Sequence, residues 1–525
     1  MHTVDPVQLE ILNSLFHSIA EEMGATLKRT AFSPNIKERR DYSCALFDAE
    51  GQVIAQGDHM PVHLGSMPLS VKAALETRDI EPGDMVILND PYKGGTHLPD
   101  ITLVSGVFEK KKLRFYVACR AHHSDVGGMS PGSMPIAEEI YQEGLRIPPV
   151  KLVINGIINR DVWDLVLLNV RTPVEREGDL AAMFAANHTG ERRLLEVLEK
   201  YGWKTVSQFV GEILNYAERM TRVAIQAIPD GKYEAEDFLD DDGVSNRPIR
   251  IAVGIEVRGD QVTVDFTKSD LQVQGSVNAV YAITASAVFY VFRTLVDVPI
   301  PSNAGGMRPI TIIAPEGTIV NALPPAAVCG GNVETSQRIV DVLYACLSTA
   351  LPDKIPAASQ GTMNNLTFGG TDPRTGQPVA YYETVCGGMG GRPQLEGISG
   401  VHTHMTNSLN TPVEAFEHSY PARILRYGLR RKSGGDGRAR GGDGVVREIG
   451  FLSRTQVTVL SDRRKFSPYG LRGGADGKPG KNTIFRADGR VEEMPGKFTA
   501  WFEAGDVLSI ETPGGGGWGD PRRDA

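Results

Sequence analysis

The chain is 525 residues long, 41% apolar and 23% charged, which describes an ordinary globular protein too long for a single core. Its 55 Lys+Arg against 64 Asp+Glu leave a formal charge of −9, which argues against a basic nucleic-acid-binding face. Five scattered cysteines with no Cys-x-x-Cys pair exclude a zinc ribbon, argue against a disulfide framework and predict reduced thiols in the cytoplasm.

The opening residues Met1–Asp5 lack the basic region and apolar core of a signal peptide. Asp5, Pro6 and Gln8 form a capping pattern, and Leu9, Leu12, Phe16, Ile19, Met23 and Leu27 recur at helical spacing, which predicts a helix ending near Thr30. Tyr42–Phe47 and Gln52–Ala55 read as a hairpin around Asp48–Gly51, and Met85–Leu88 reads as an apolar strand. Ile101–Phe108 and Leu113–Cys119 flank the polar turn Glu109–Lys112. Helices are predicted over Leu180–Leu198 and Val206–Ile228, a hairpin over Ile249–Val257 and Gln261–Phe266, and buried helices over Tyr281–Val296 and Ser336–Leu351. The apolar stretch 281–298 contains Arg293 and reads as a core helix, not a membrane span. From Gly361 onward short strands and glycine runs replace helical patterns. The expected fold is therefore mixed α+β, multi-lobed and β-rich, with Gly-rich loops and several buried helices. Its lobes are expected at 1–235 (the metal-site lobe), 236–355 (a central α/β lobe) and 356–525 (a Gly-rich β lobe).

Chemistry concentrates early. Five of the eleven histidines lie between positions 59 and 123. They fall in the stretches Gly57–His63, Asn89–Asp100 and Ala121–Gly128, at the ends of predicted strands or in the loops beside them, as does Asp41 in Glu38–Ser43. Imidazole nitrogen and carboxylate oxygen are the donors of catalytic zinc, manganese and iron sites. His97 and Asp100 flank Pro99 on a stiff loop, and His122 follows a strand. Adjacent residues of an extended segment point to opposite faces, so one of His122 and His123 is expected to ligate. His59 and His63 are weaker candidates. Apart from Cys44 no cysteine joins the group, which favours an N/O site with an open position over a closed structural zinc site.

Other glycine-rich stretches fail as nucleotide motifs. In Gly473–Lys481, Lys478 is followed by Pro479 and the first Walker glycine is missing, while Gly387–Gly391 and Gly514–Gly517 lack the strand, helix and acid of a dinucleotide fingerprint. No Gly-x-Ser-x-Gly elbow is present; Cys329 and Cys386 read as buried thiols, and Arg423, Arg426, Arg430 and Arg431 form a local basic patch.

Eight stretches in order resemble the hydantoinase B/oxoprolinase family: ERRDYSCALFD from Glu38, GDHMPVHLGSMP from Gly57, NDPYKGGTHLPD from Asn89, AHHSDVGG from Ala121, GNVETSQ from Gly331, HMTNSLNTP from His404, SGGDGRARGGDG from Ser433 and GGGGWGDP from Gly514. The resemblance spans the chain and implies zinc or manganese ligands at Asp41, His97, Asp100 and His122. It also implies a hetero-oligomer with an A-type subunit that binds ATP and Mg, and no nucleic-acid or membrane partner. The implied activity is hydrolysis of a cyclic amide (a hydantoin, 5-oxoproline or another lactam) after ATP has phosphorylated its oxygen, with the metal site activating water. The alternative within the family is the large subunit of an acetone- or acetophenone-type carboxylase. From their closeness in sequence, His123 and Asp125 are candidate proton carriers, and Asp90 a candidate partner fixing a ligand histidine.

Overall fold

A computed structural model of the protein describes residues 5–522; Met1–Val4, read above for a leader, lie outside them. The fold is mixed α+β, as the sequence implies. The first helix, Pro6–Thr30, starts where Asp5 accepts the Val7 N–H and buries Leu12, Phe16, Ile19, Met23 and Leu27. It packs along the helix Pro173–Tyr201, and both cover one face of a sheet.

That sheet positions the site. Its strands are β1 (Tyr42–Asp48), β2 (Val53–Gln56), β3 (Met85–Leu88), β4 (Asp100–Glu109), β5 (Lys112–His122), β6 (Val150–Ile154) and β7 (Ile157–Ile158). They run in the order β2-β1-β5-β4-β3-β6-β7, every neighbour antiparallel. Both faces are covered, so β1 through β5 bury almost every residue and lose the polar alternation of a half-exposed sheet. The β4–β5 turn is tighter than the sequence reading: Glu109 pairs with Lys112, leaving Lys110 and Lys111 as a two-residue turn with φ of 48° and 65°.

Three further sheets follow. One of four strands spans Gly231–Ile313 and includes Gly231–Leu239, a strand the sequence reading did not assign. Its charged residues alternate with half-buried ones, and the helix Ser336–Ala350 packs against it. Two more, of four and five strands, occupy Asn365–Glu511. One apolar core runs continuously from Leu12 to Leu460, and a second fills the C-terminal sheets around Phe368, Phe416 and Phe451. A buried ionic cluster joins the helix Ser336–Ala350 to the C-terminal part: Arg338 meets Asp462 at 3.0 Å, Arg463 meets Asp341 at 2.7 Å, and Lys497 meets Asp462 at 2.9 Å.

The glycine runs form neither strands nor ordinary loops. Gly514–Gly517 threads between several other segments, each joined to it backbone to backbone. Gly515 N donates to Gly442 O (2.9 Å), Gly516 N to Ala358 O (2.8 Å) and Gly517 N to Ala475 O (2.8 Å), while Gly435 N, Gly391 N and Leu471 N donate back. A Cβ on Gly514 would meet Ser433 O at 2.1 Å, on Gly515 Met389 O at 2.1 Å, on Gly516 Tyr469 O at 2.0 Å and on Gly517 Asp436 O at 2.2 Å. The first and fourth glycines thus face the same segment, 433–436, which is the three-residue period of a polyproline II helix. None of the four has positive φ, so close approach on every side, not backbone conformation, requires glycine.

Candidate metal centre

Three adjacent strand ends converge. Asp100 opens β4 and pairs directly with His122, the last residue of β5. On the other side of β5, His122 N donates to the carbonyl of Asp41, which stands immediately before β1. His97 comes from the loop between β3 and β4. That loop is held by the buried Asn89, whose amide donates to Leu98 O (2.7 Å) and accepts from Ile147 N (2.6 Å). Gly94, at φ 82°, lies so close to Leu69 that a Cβ would fall 2.3 Å from its carbonyl carbon.

His97 Nε2, His122 Nδ1 and Asp100 Oδ1 form a triangle with edges of 3.1, 3.3 and 3.3 Å. Donors about 2.0–2.2 Å from a tetrahedral zinc stand about 3.3–3.6 Å apart, so these edges lie within a few tenths of an ångström of that requirement. Two imidazoles and one carboxylate, all buried and aimed at one point, fit a divalent cation. Asp41 lies outside the triangle but lines, together with Asp100 and His122, a cavity that leaves about 10 Å³ for the centre of a water-sized sphere, room for one ion or one water.

Asp100 is oriented from behind: its Oδ2 accepts from Thr96 Oγ1 (2.5 Å) and faces His63 Nε2 at 3.2 Å, and His63 Nδ1 meets Ser43 Oγ at 2.8 Å. Burial pushes its carboxyl up, but the nearby His97 and His63, with hydrogen bonds from His122 and His63, hold it well below the ordinary carboxylate range. Burial raises Asp41, with His122 and Arg39 opposing, and burial lowers His122 and His63 so that both rings are neutral donors at pH 7. Met60 and Val62 add apolar wall from nearby in sequence, and the rest comes from far along the chain: Asn332, Val333, Met363, Thr384, Thr406 and Tyr382, whose ring stacks on His122 at 4.1 Å. Arg39 holds these late segments in place. Its guanidinium is fully buried and donates to Asn35 Oδ1, Tyr382 O (3.1 Å), Thr384 Oγ1 (2.7 Å), Ser408 Oγ (3.2 Å) and Leu409 O (3.2 Å).

The other candidates lie apart from this point. His123 points away from His122 into an apolar pocket beside Ile101, Val166 and Leu180, where burial lowers it to about 3. Asp125 accepts from the Arg171 side chain (2.9 Å) and backbone (2.7 Å). Asp90 caps the turn Pro91–Lys93 and pairs with Arg146 at 3.0 Å; its hydrogen bonds and ion pair go to no histidine. His59 packs on Tyr42, near Glu21. Asn332, which lies in the GNVETSQ stretch but has no role in the sequence analysis, donates from Nδ2 toward His97 Nε2 at 3.1 Å.

Among the described residues no helix is long and apolar enough to cross a membrane. Residues 5–521 match the family model Hydantoinase B/oxoprolinase. The chain is 41% identical to 5-oxoprolinase 1 of Arabidopsis thaliana, over 99% of its own length and 42% of that protein, so it spans less than half of that relative. It is 33% identical to the putative B-type subunit of a D-/L-hydantoinase from a Pseudomonas species, over 99% of its own length and 90% of that one. The crystal structure of the ATP-dependent caprolactamase from Pseudomonas jessenii superposes with a TM-score of 0.93 at 31% identity, covering 100% of this chain and 93% of that one. An acetone carboxylase structure superposes at 0.92 over 98% of this chain and 76% of that one; at 19% identity this likeness is one of fold. The chain belongs to the hydantoinase B/oxoprolinase family.

Proposed function

We propose that this chain is the metal-dependent B-type subunit of an ATP-dependent cyclic-amide hydrolase, active with an A-type subunit that binds ATP and Mg and phosphorylates the amide oxygen. The observation that carries the reading is the buried His97–Asp100–His122 triangle in a chain that matches the family from end to end. Asp41 is assigned as the fourth ligand because its carboxylate lines the same cavity. Zinc and manganese both suit these donors; when bound, such an ion acts as a Lewis acid and lowers the pKa of water toward neutral.

The chain's own residues do the rest. His63 and Thr96 fix the Asp100 carboxylate, and Tyr382 fixes the plane of His122 by stacking. Met60, Val62, Val333 and Met363 give the cavity an apolar wall, which strengthens the charge interactions inside it. Phosphorylation of the amide oxygen removes the amide resonance; water adds to the carbon, the C–N bond breaks as the nitrogen takes a proton, and a second water hydrolyses the remaining acyl phosphate to carboxylate and phosphate. The free, buried state of all five cysteines fits a reducing, cytoplasmic setting.

The test is co-expression with an A-type subunit and assay of ATP consumption with hydantoins, 5-oxoproline, other lactams and ketones, with and without bicarbonate. Turnover of a cyclic amide supports the proposal; turnover of ketone plus bicarbonate alone overturns it. Asp41→Ala and His122→Ala should each lose bound metal, and a full equivalent retained by both would refute the ligand set.

A further inference from the structure

Glu143 follows the short turn Ile140–Gln142, is fully buried, and lies outside the metal cavity's lining. Its Oε1 accepts two backbone N–H groups at once, from Val328 (2.7 Å) and Cys329 (2.9 Å). Two donors on one oxygen fix this bend of the chain. The carbonyl of Cys329 then faces His97 Nδ1 at 3.4 Å. The bend is pinned on its far side as well: a Cβ on Gly331 would lie 1.9 Å from Asn278 O. One residue further, Asn332 Nδ2 reaches the other ring nitrogen of His97.

A neutral imidazole carries one hydrogen, and a carbonyl can only accept. The hydrogen therefore belongs on Nδ1, and Nε2 keeps its lone pair, toward which the Asn332 amide can donate. This is the tautomer that can ligate through Nε2. A competing pull exists, since Asp100 Oδ1 stands 3.3 Å from the same Nε2 and would favour the hydrogen there.

We propose that Glu143 is a positioning residue for His97: by anchoring the 328–329 backbone it keeps the Cys329 carbonyl on Nδ1 and holds the ring in the tautomer that binds metal. The proposal rests on His97 being a metal ligand, as assigned above.

Zn²⁺ affinity of the full-length chain, read by competition with a chromogenic chelator, tests it. Glu143→Met should weaken binding about 10–100-fold, while Glu143→Gln, which keeps an acceptor oxygen, should stay within about threefold of wild type. His97→Ala should lose most of the affinity, and in that background Glu143→Met should change nothing more. An equal loss in both backgrounds would mean that Glu143 acts on the fold at large, and would overturn this proposal alone. Undiminished affinity in His97→Ala would overturn the ligand assignment and this proposal with it. Nitrogen-15 NMR of the histidines in the metal-free wild-type chain needs no variant and decides the matter even if Glu143→Met fails to fold. A hydrogen on Nδ1 of His97 supports the proposal, and a hydrogen on Nε2 overturns it.

Discussion

Replacing Gly515 by alanine adds one methyl group in the middle of the glycine bundle. That Cβ would stand 2.1 Å from Met389 O, whereas ordinary contacts begin near 3.4 Å, so the segments must part by about 1.3 Å. Overpacking of this kind costs about 1–3 kcal/mol. The same shift breaks the hydrogen bonds Gly515 N to Gly442 O and Gly435 N to Gly515 O, each contributing about 1 kcal/mol. The total is about 3–5 kcal/mol. With about 2.1 cal/mol/K of unfolding entropy per residue, the 525-residue chain carries about 1.1 kcal/mol/K, so the melting temperature should fall by about 3–5 °C. The control is Gly211, inside the helix Trp203–Gln226, where an added Cβ meets nothing within 4 Å. There alanine should raise stability by about 1 kcal/mol. Differential scanning calorimetry on both variants decides. A Gly515→Ala chain melting within about 1 °C of wild type would refute the close-approach argument.

Arg39→Met should release the late segments from the cavity. We expect a loss of about 3 kcal/mol or more, from acceptors left without a donor, and faster hydrogen exchange over residues 403–411. Lys110→Asn with Lys111→Gly places turn-forming residues where φ is already positive and should stabilise by about 1 kcal/mol in urea titrations. His402 is half-buried with both ring nitrogens shielded from water, and this burial lowers it to about 3 from an ordinary value near 6.5. The unfolded chain therefore binds this proton first, so its share of stability is complete above pH 6.5 and is lost on acidification toward 3; His402→Phe should flatten that slope. Burial raises Glu334 to about 7, chiefly by desolvation with Asp462 adding to it. Here the folded state holds the proton longer, so stability falls as pH rises from about 4.5 to 7, and Glu334→Gln should remove that decline.

The elements that carry the site were legible because they obey local rules. The helix Pro6–Thr30 announces its cap and its apolar stripe, and β1, β4 and β5 are apolar runs bounded by turn residues. Alternation along an extended strand parts His122 from His123, and the two rings enter different pockets. The role of His63 was not legible, because it depends on β1 and the β3–β4 loop arriving beside it. Glu143 and Asn332 owe their roles to contacts 185 and 235 residues away in sequence, which no local pattern encodes. The strand Gly231–Leu239 was missed because its exposed face carries Lys232, Glu234 and Glu236, which dilute the apolar signal. The glycine runs look like loops in sequence because the regularity of Gly514–Gly517 lies in a period of three, outside the helix and strand periods.

The candidate cavity takes Asp41, His63, Asp100 and His122 from the first quarter of the chain and part of its wall from Asn332, Met363, Tyr382 and Thr406. In a growing polypeptide the donors emerge long before the residues that close over them. Once closed, the space holds about a single water, so an ion bound there would exchange more readily when these distant segments separate. Exchange would then depend on opening of the fold as well as on the strength of the donors. The metal found in the purified protein would record which ion was at hand while the chain was folding.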